Sequence, residues 1–100
     1  KYKLIITPVA SLDIEAIVEY LSGFSENIAL SYYEYIDECI KSLSTMPKRC
    51  PLVRNEELKA KGYRWVSVRN YTVFFIVDDD TNTVRINRVL YSKREYDVLL

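Results

Sequence analysis

The segment between Tyr63 and Tyr91 places the strongest constraint on the fold, because it contains three apolar runs separated by two turn signals. β-Branched and aromatic residues, which favour strands, dominate each run. The runs cover residues 65–68, 71–77 and 83–90, and polar residues at 69–70 and 78–82 interrupt them. This arrangement predicts a three-stranded antiparallel meander.

The last two runs differ in their pattern. Residues 73–77 are apolar without alternation, which indicates a central strand covered on both faces. The last run alternates between an apolar face and a polar face, with Val84, Ile86 and Leu90 on the first and Arg85, Asn87 and Tyr91 on the second. Val89 and Arg88 interrupt this alternation, and Arg88 shares the apolar side, where an unpaired guanidinium would be very costly. We therefore expect a partner for Arg88, and the polar face is the first candidate for a functional surface.

The length and composition of the chain suit one globular domain covering residues 1–100. Apolar residues make up 49% of the 100 residues, and there are only two glycines and three prolines. No apolar run approaches the roughly 18 to 20 residues of a membrane-spanning helix, and residues 1–6 are too short for a signal peptide. We expect a soluble cytoplasmic protein, with Cys39 and Cys50 as free thiols that pack in the interior.

The formal net charge is zero, which argues against a strongly basic nucleic-acid-binding protein, but the charges are unevenly distributed. Residues 8–46 carry acids almost exclusively, whereas residues 47–76 and 81–94 carry mostly arginine and lysine. The basic part could attract phosphate or an acidic protein segment. Ordinary solvated surface charge is the alternative interpretation.

Two helices are expected before the meander. Residues 2–6 form a strand pattern, after which Thr7 can cap a helix with Pro8 at its first position. Ser25 can cap a second helix that ends at Pro47, and Gly23 separates the two. The expected core-facing residues are Ile14, Ile17, Val18 and Leu21 in the first helix, and Ala29, Tyr33, Ile36, Ile40 and Leu43 in the second. Such a pair forms an antiparallel hairpin that covers one side of the sheet.

The remaining segments are a long connection and a tail. Residues 48–62 contain Pro51 and at most one helical turn at 56–60, so we expect a loop that is functional or ordered by a partner. Ser92 could cap a final turn over residues 93–100. The predicted fold class is α+β: an N-terminal strand, a helical hairpin, and a three-stranded meander that completes a four-stranded, mainly antiparallel twisted sheet.

The residue types present limit the possible chemistry. Without histidine, neither a Ser-His-Asp or Cys-His nucleophile system nor a conventional histidine-containing zinc site can form, and two glycines cannot build a phosphate-binding loop. The acids at 78–80 are expected to form a solvated turn, so we expect no metal, cofactor or small-molecule substrate.

Arginine, tyrosine and carboxylate groups could still cleave RNA without a metal, by stabilising charge on the phosphate and moving the proton of the 2′-hydroxyl. The candidates for such a site are Arg64, Arg69, Arg85 and Tyr91. The alternative is that Tyr63, Trp65 and Tyr71 are packing residues and that the arginines are surface charge.

The order of these elements, together with particular residues, resembles the toxins of the RelE/ParE superfamily from bacterial type II toxin-antitoxin modules. The resemblance extends over essentially the whole chain. It rests on Asp13, Ile17, Tyr20 and Leu21, on Ala29, Ile36, Ile40, Leu43 and Pro47, and on Gly62-Tyr63-Arg64 and residues 71–77 and 88–96.

The resemblance implies a cognate antitoxin whose C-terminal segment wraps the toxin. It also implies one of two targets: DNA gyrase for ParE-like members, or the ribosome with its messenger RNA for RelE-like members. By this resemblance, Arg64, Arg85, Tyr91 and Arg94 are the candidate catalytic residues of a nuclease. The candidate residues for target or antitoxin binding are Arg64, Arg69, Arg85, Lys93 and Arg94.

Two positions depart from the nuclease pattern. Thr72 stands where RelE-like nucleases have an arginine, and Leu100 stands where they commonly have a tyrosine. The long helical hairpin is more similar to ParE. We therefore expect a ParE-like gyrase inhibitor, with a ribosome-dependent messenger RNA endoribonuclease as the alternative. A third reading, from another class, is a non-toxic antitoxin-binding module or decayed toxin.

Overall fold

The computed structural model describes residues 1–100 and places the helical hairpin between the first strand and the meander. The strands are β1 (Lys3–Ile6), β2 (Tyr63–Val68), β3 (Tyr71–Asp78) and β4 (Thr83–Tyr91). The helices are α1 (Pro8–Ser22), α2 (Glu26–Ser42) and the short α3 (Glu56–Ala60), with single 3₁₀ turns at Pro47–Arg49 and Tyr96–Val98.

The four strands form one sheet in the order β1-β4-β3-β2. Strand β1 runs parallel to β4, and the other neighbours are antiparallel. The predicted α+β fold with a mainly antiparallel four-stranded sheet is therefore confirmed. None of the helices has the length and hydrophobicity that crossing a membrane requires.

The helices begin at the predicted capping residues. The Thr7 hydroxyl accepts a hydrogen bond from the amide of Ala10 at 3.1 Å, and the Ser25 hydroxyl accepts one from the amide of Ile28 at 3.3 Å. Each hydroxyl satisfies an amide that has no partner within its helix. Gly23 ends α1 as expected, but with right-handed backbone angles that any residue can adopt.

The helices cover one face of the sheet with a core of twelve buried residues. This core includes the predicted Ile17, Ile36, Ile40 and Leu43, together with Phe75 and Ile86 from the sheet. Both cysteines are free and pack in or against it, as predicted. One assignment in α2 was wrong. Tyr33 is 46% exposed, whereas its neighbour Tyr32 packs against the core, where its ring centroid lies 6.0 Å from that of Tyr71.

A β-bulge in β4 changes the side chains that face the helices. Phe74 lies opposite Arg88 while Phe75 lies opposite Ile86, so Asn87 is the extra residue. A one-residue shift moves the following side chains to the other face. The predicted grouping of Leu90 with Val84 and Ile86 is therefore wrong, because Leu90 packs in a second cluster.

The same bulge corrects the predicted polar face. Val89 packs in the core beneath the helices, and Tyr91 lies directly opposite Tyr71, another member of that core. Tyr91 therefore belongs to the helix side at the end of the sheet, and it does not share a face with Arg85. The alternation expected of a regular strand fails at this point because the bulge interrupts the pleat.

The face opposite the helices carries the second, smaller cluster. Its five buried members are Val53, Leu58, Tyr63, Phe74 and Leu90. The tail covers part of it, with the ring of Tyr96 stacked on Phe74 at 5.1 Å between centroids. The tail forms only the 3₁₀ turn and not the longer turn expected over residues 93–100.

The connection over residues 48–62 is more ordered than its sequence suggests. Leu52 forms a bridge with Arg64, and the amide of Val53 donates to the carbonyl of Tyr63 at 3.0 Å. The expected helical turn is present as α3, and Leu58 anchors it in the second cluster. The segment thus follows the outer edge of β2 and satisfies part of its backbone.

Candidate functional site

Arg64 holds the connection that precedes β2. It lies opposite Phe75 and so projects from the helix side of the edge strand. Its Nη1 donates to the carbonyl oxygen of Cys50 at 2.7 Å and to that of Lys48 at 3.4 Å. Part of its hydrogen-bonding capacity is therefore used within the chain.

Arg85 lies on the other face of the sheet. It stands opposite Ile76, which packs against the second cluster, and its side chain is exposed. Arg64 and Arg85 therefore project from opposite faces. The four residues considered for a nuclease do not converge on one point, because Tyr91 and Arg94 lie in a third place.

Arg69 occupies the turn between β2 and β3 in a left-handed conformation, with φ of 56°. Its guanidinium carbon lies 4.0 Å from the ring centroid of Tyr35 on α2, a cation-π contact. The contact joins the turn to the helical hairpin. Lys93, in the turn after β4, is exposed to solvent.

Tyr91 and Arg94 line a cleft of about 600 Å³ between the helical hairpin and the end of the sheet. We call it the tyrosine cleft. Ring centroids of Tyr32 and Tyr71 are 6.0 Å apart, and those of Tyr71 and Tyr91 are 5.9 Å apart, both edge to face. The lining residues are Asp13, Ala16, Ile17, Tyr20, Leu21, Tyr32, Asn70, Tyr71, Val89, Leu90, Tyr91 and Arg94.

Tyr71 is the buried tyrosine of the cleft. Tyr71 is 8% exposed, and burial, followed by the nearby Tyr32, raises its pKa. Asn70 supports the neighbouring wall, since its side-chain amide donates to the Tyr32 hydroxyl at 3.5 Å. The walls of the cleft are therefore aromatic, while neutral polar groups lie at their tips.

Asp13 lines the cleft and forms an ion pair with Arg88, which provides the partner that Arg88 was expected to need. The carboxylate accepts from Nε and Nη2 of Arg88 at 2.8 and 2.9 Å, and from the amide of Val89 at 3.0 Å. Nη1 of Arg88 donates to the carbonyl of Leu99 at 3.1 Å. The hydrogen bonds that Arg88 donates to Asp13 raise the pKa of the guanidinium. This pair connects α1, β4 and the tail.

Sequence reasoning missed Asp13 as the partner of Arg88, and it missed Tyr32 as a wall of the cleft. The available signal for Asp13 was its place between Ala10 and Ile17, which puts its carboxylate on the apolar side of α1. Tyr32 and Tyr33 are adjacent in sequence, and the orientation of α2 against the sheet determines that Tyr32, and not Tyr33, lines the cleft.

A sequence comparison matches residues 4–96 to the family described as ParE toxin of type II toxin-antitoxin system, parDE. The chain belongs to the ParE toxin family. It is therefore a toxin of the type II toxin-antitoxin class. A search of curated protein sequences found no significant match.

Solved structures of toxin-antitoxin systems share the fold of this ParE-family toxin. A chain of the chromosomal ParDE system from P. aeruginosa is 21% identical with a TM-score of 0.74, and the match covers 92% of this chain and 97% of that one. A chain of the RelBE2 complex from Mycobacterium tuberculosis is 24% identical with a TM-score of 0.66, with 90% and 96% covered. A chain of the intact E. coli RelBE complex is 13% identical with a TM-score of 0.64, with 94% and 100% covered.

The two positions that depart from the nuclease pattern have packing roles in this ParE-family toxin. The Thr72 hydroxyl is 2.9 Å from that of Ser92, and Thr72 is 8% exposed. Leu100 packs against the second cluster. Neither side chain carries a positive charge or a group that transfers a proton at neutral pH.

The acids at 78–80 are occupied by the turn between β3 and β4. Oδ1 of Asp78 accepts from the amides of Asp80 and Thr81 at 3.0 and 3.3 Å. Asp79 pairs with Lys48 and accepts from the hydroxyl of Tyr2. The predicted solvated turn is therefore present, and nowhere do three or more carboxylates or thiols group as metal ligands.

Proposed function

We propose that this toxin inhibits growth in the bacterial cytoplasm by binding DNA gyrase, and that a cognate antitoxin neutralises it. In this proposal residues 1–100 act as a single toxin domain. The gyrase target follows from the ParE family, and the nuclease alternative follows from the wider superfamily. We favour gyrase because of one observation: Arg64 and Arg85 project from opposite faces of the sheet.

RNA cleavage without a metal needs several groups around one phosphate. A cation must stabilise the developing charge, and an acid or base must lie within hydrogen-bond reach of the reacting oxygens. Arg64 is engaged by two carbonyl oxygens, Arg85 is on the other face, and Tyr91 opens into the tyrosine cleft. This separation supports inhibition by protein contact over catalysis.

A cognate antitoxin is supported by two kinds of observation. Two of the similar solved structures are toxin-antitoxin complexes, one from Mycobacterium tuberculosis and one from E. coli. The toxin itself also exposes apolar side chains on both long helices, such as Leu12 at 63% and Leu30 at 57%. Apolar side chains that are exposed next to one another on a helix are a feature of protein interaction surfaces.

The test is to add purified toxin to gyrase with relaxed plasmid and ATP, and separately to ribosomes programmed with messenger RNA. We expect supercoiling to fall with toxin concentration and to recover when the cognate antitoxin is added. Messenger RNA on the ribosome should remain intact. Cleaved messenger with normal supercoiling would contradict the proposal and favour the nuclease.

The double variant Arg85→Gln/Tyr91→Phe sharpens this test, because it removes two nuclease candidates with little change in shape. A nuclease that depends on these groups should lose about 100-fold or more in cleavage rate. A gyrase inhibitor should leave messenger RNA intact with or without these substitutions. Induced expression without any effect on growth would instead favour a non-toxic module that binds only an antitoxin.

A further inference from the structure

The connection between α2 and β2 carries an excess of positive charge. Residues 47–64 contain six bases and two acids, whereas residues 8–46, which include both long helices, contain seven acids and one base. Five of the six bases are exposed, and the sixth is half-buried. We call this surface the basic strip, and it consists of Lys48, Arg49, Arg54, Lys59, Lys61 and Arg64.

Hydrogen bonds to backbone oxygens fix two arginines of the basic strip. Nη1 of Arg49 donates to the carbonyls of Thr45 and Met46 at 2.8 and 3.0 Å. Nη1 of Arg64 donates to the carbonyl of Cys50 at 2.7 Å. These acceptors are neutral, so both guanidinium groups keep their positive charge. An arginine that is already held in one conformation loses little side-chain entropy when it binds an anion.

The other charges of the basic strip are mostly free. Lys48 pairs with Asp79. The ion pairs of the structure leave Arg54, Lys59 and Lys61 without a carboxylate partner. The two acids of the segment lie in the first turn of α3, where the end of the helix favours negative charge. The strip therefore offers several cations to a partner that brings a row of negative charges.

We propose that the basic strip binds the phosphate backbone of duplex DNA. Lysine and arginine bind phosphates without reading the bases, and the release of counterions from the DNA drives this binding. The acids on the helical hairpin repel phosphate, so the duplex approaches from the side of the connection. The inference deepens the proposed function and rests on it for its setting, because gyrase holds duplex DNA where a gyrase inhibitor acts.

The side chains around the basic strip favour a duplex over a single RNA strand. Proteins bind single strands by stacking bases on aromatic side chains. None of the exposed aromatic residues lies within residues 47–64, since they are Tyr20, Phe24, Tyr33, Tyr35 and Tyr91. The strip therefore provides contacts for a backbone and no exposed aromatic ring on which a base could stack.

The same surroundings favour DNA over an acidic protein segment. Binding between proteins depends strongly on aromatic and apolar side chains that the partner buries. Leu52, which is 36% exposed, is the one large apolar side chain that residues 47–64 expose. Phosphate binding needs only the charges that the strip already presents.

One double variant with two matched controls tests the proposal. Arg54→Gln/Lys61→Gln removes two exposed charges from the basic strip. Lys3→Gln/Lys41→Gln removes two exposed charges from elsewhere on the molecule. Arg54→Lys/Lys61→Arg exchanges the side chains of the strip and keeps their charge. Circular dichroism and melting temperature establish that all three variants are folded.

The measurement is the fluorescence anisotropy of a short labelled DNA duplex, titrated with the purified toxin at several salt concentrations. The logarithm of the affinity should fall linearly with the logarithm of the salt concentration. We expect Arg54→Gln/Lys61→Gln to reduce the size of this slope by about two, because two phosphate contacts are lost. Both controls should keep the wild-type slope. No binding by the wild type at low salt, or equal slopes in the test variant and the controls, would overturn the proposal.

Other occupants of the basic strip give different results. A labelled RNA strand of equal length that binds more tightly than the duplex through Arg54 and Lys61 would show an RNA surface, and the proposal would be wrong. A poly-glutamate peptide that binds through these residues more tightly than the duplex would show a surface for acidic protein, with the same consequence.

The titration contains no gyrase, so the two proposals can fail separately. If the duplex binds as expected while supercoiling is unaffected by the toxin, the DNA contact stands and the gyrase proposal is wrong. If wild type and Arg54→Gln/Lys61→Gln inhibit supercoiling equally while neither binds the duplex, the gyrase proposal stands and the DNA contact is wrong.

Discussion

The two faces of the sheet are covered in very different ways. Helices of 15 and 17 residues cover one face and bury a core of twelve residues. The five-residue helix α3 and the tail cover the other face, where only five residues are buried. Adjacent side chains of β3 contribute to both, since Phe75 lies in the large core and Phe74 in the small cluster.

The helix-covered face and the opposite face should therefore differ in how much they contribute to stability and in how easily they open. Burial of apolar area is the dominant favourable term in folding, so the helix side should provide most of the stability. The covers of the other face are short segments with few contacts, and such segments open locally at low cost. The tyrosine cleft lies at the end of the helix-covered face. Most of its lining residues belong to α1, α2, β3 and β4, which also form the large core.

The largest expected effect comes from truncating the two phenylalanines of β3. Phe75 is 0% exposed, so Phe75→Ala leaves a cavity in the core. This substitution should cost about 3–5 kcal/mol in the free energy of unfolding. Phe74→Ala should cost at least about 1 kcal/mol less, because the tail and α3 can move into the space. Urea denaturation followed by circular dichroism measures both. Equal losses in the free energy of unfolding would show that the two faces contribute equally to stability, which would contradict this prediction.

An intermediate effect is expected from the ion pair that connects the two faces. Asp13→Asn leaves the Arg88 guanidinium, which is 20% exposed, without its carboxylate, and should cost about 2–3 kcal/mol. The matched control is Asp37→Asn, which breaks the exposed pair with Lys41 on α2 and should change the stability little. Thermal melts at low and high salt measure both changes. If Asp13→Asn lowers the stability no more than the control does, the Asp13–Arg88 pair contributes no more than an exposed ion pair.

The smallest effect is a pH dependence from Tyr71, whose pKa burial raises, followed by the nearby Tyr32. Below about pH 10 the phenol is protonated in both the folded and the unfolded chain. Above that pH the unfolded chain loses the proton first, so the stability that the neutral phenol contributes is lost as pH rises through the folded pKa.

Tyr71→Phe removes this dependence and keeps the ring. The melting temperature of the variant relative to wild type should therefore rise between about pH 9 and pH 11. Tyr33→Phe, which removes the hydroxyl of an exposed tyrosine of α2, is the control for the loss of one phenol. A parallel pH profile for wild type and Tyr71→Phe would show that burial does not raise the pKa of Tyr71, and it would contradict this prediction.

The sequence by itself determined the order and type of the elements. Hydrophobic period, the caps at Thr7 and Ser25, and polar turns are local signals that act over a few residues. They were sufficient to predict the strand, the helical hairpin, the meander and the need of Arg88 for a partner. The resemblance to RelE/ParE toxins could likewise be stated from the residues alone, and the family match confirms it.

Only the tertiary structure decided the candidate site. Asp13 and Arg88 are 75 positions apart, and the walls of the cleft come from α1, α2, β3, β4 and the turns beside them. The bulge at Asn87 placed Tyr91 with Tyr71 instead of with Arg85. The physical reason is that alternation assumes an uninterrupted pleat, and one extra residue, whose position depends on the neighbouring strand, reverses the face of every side chain after it.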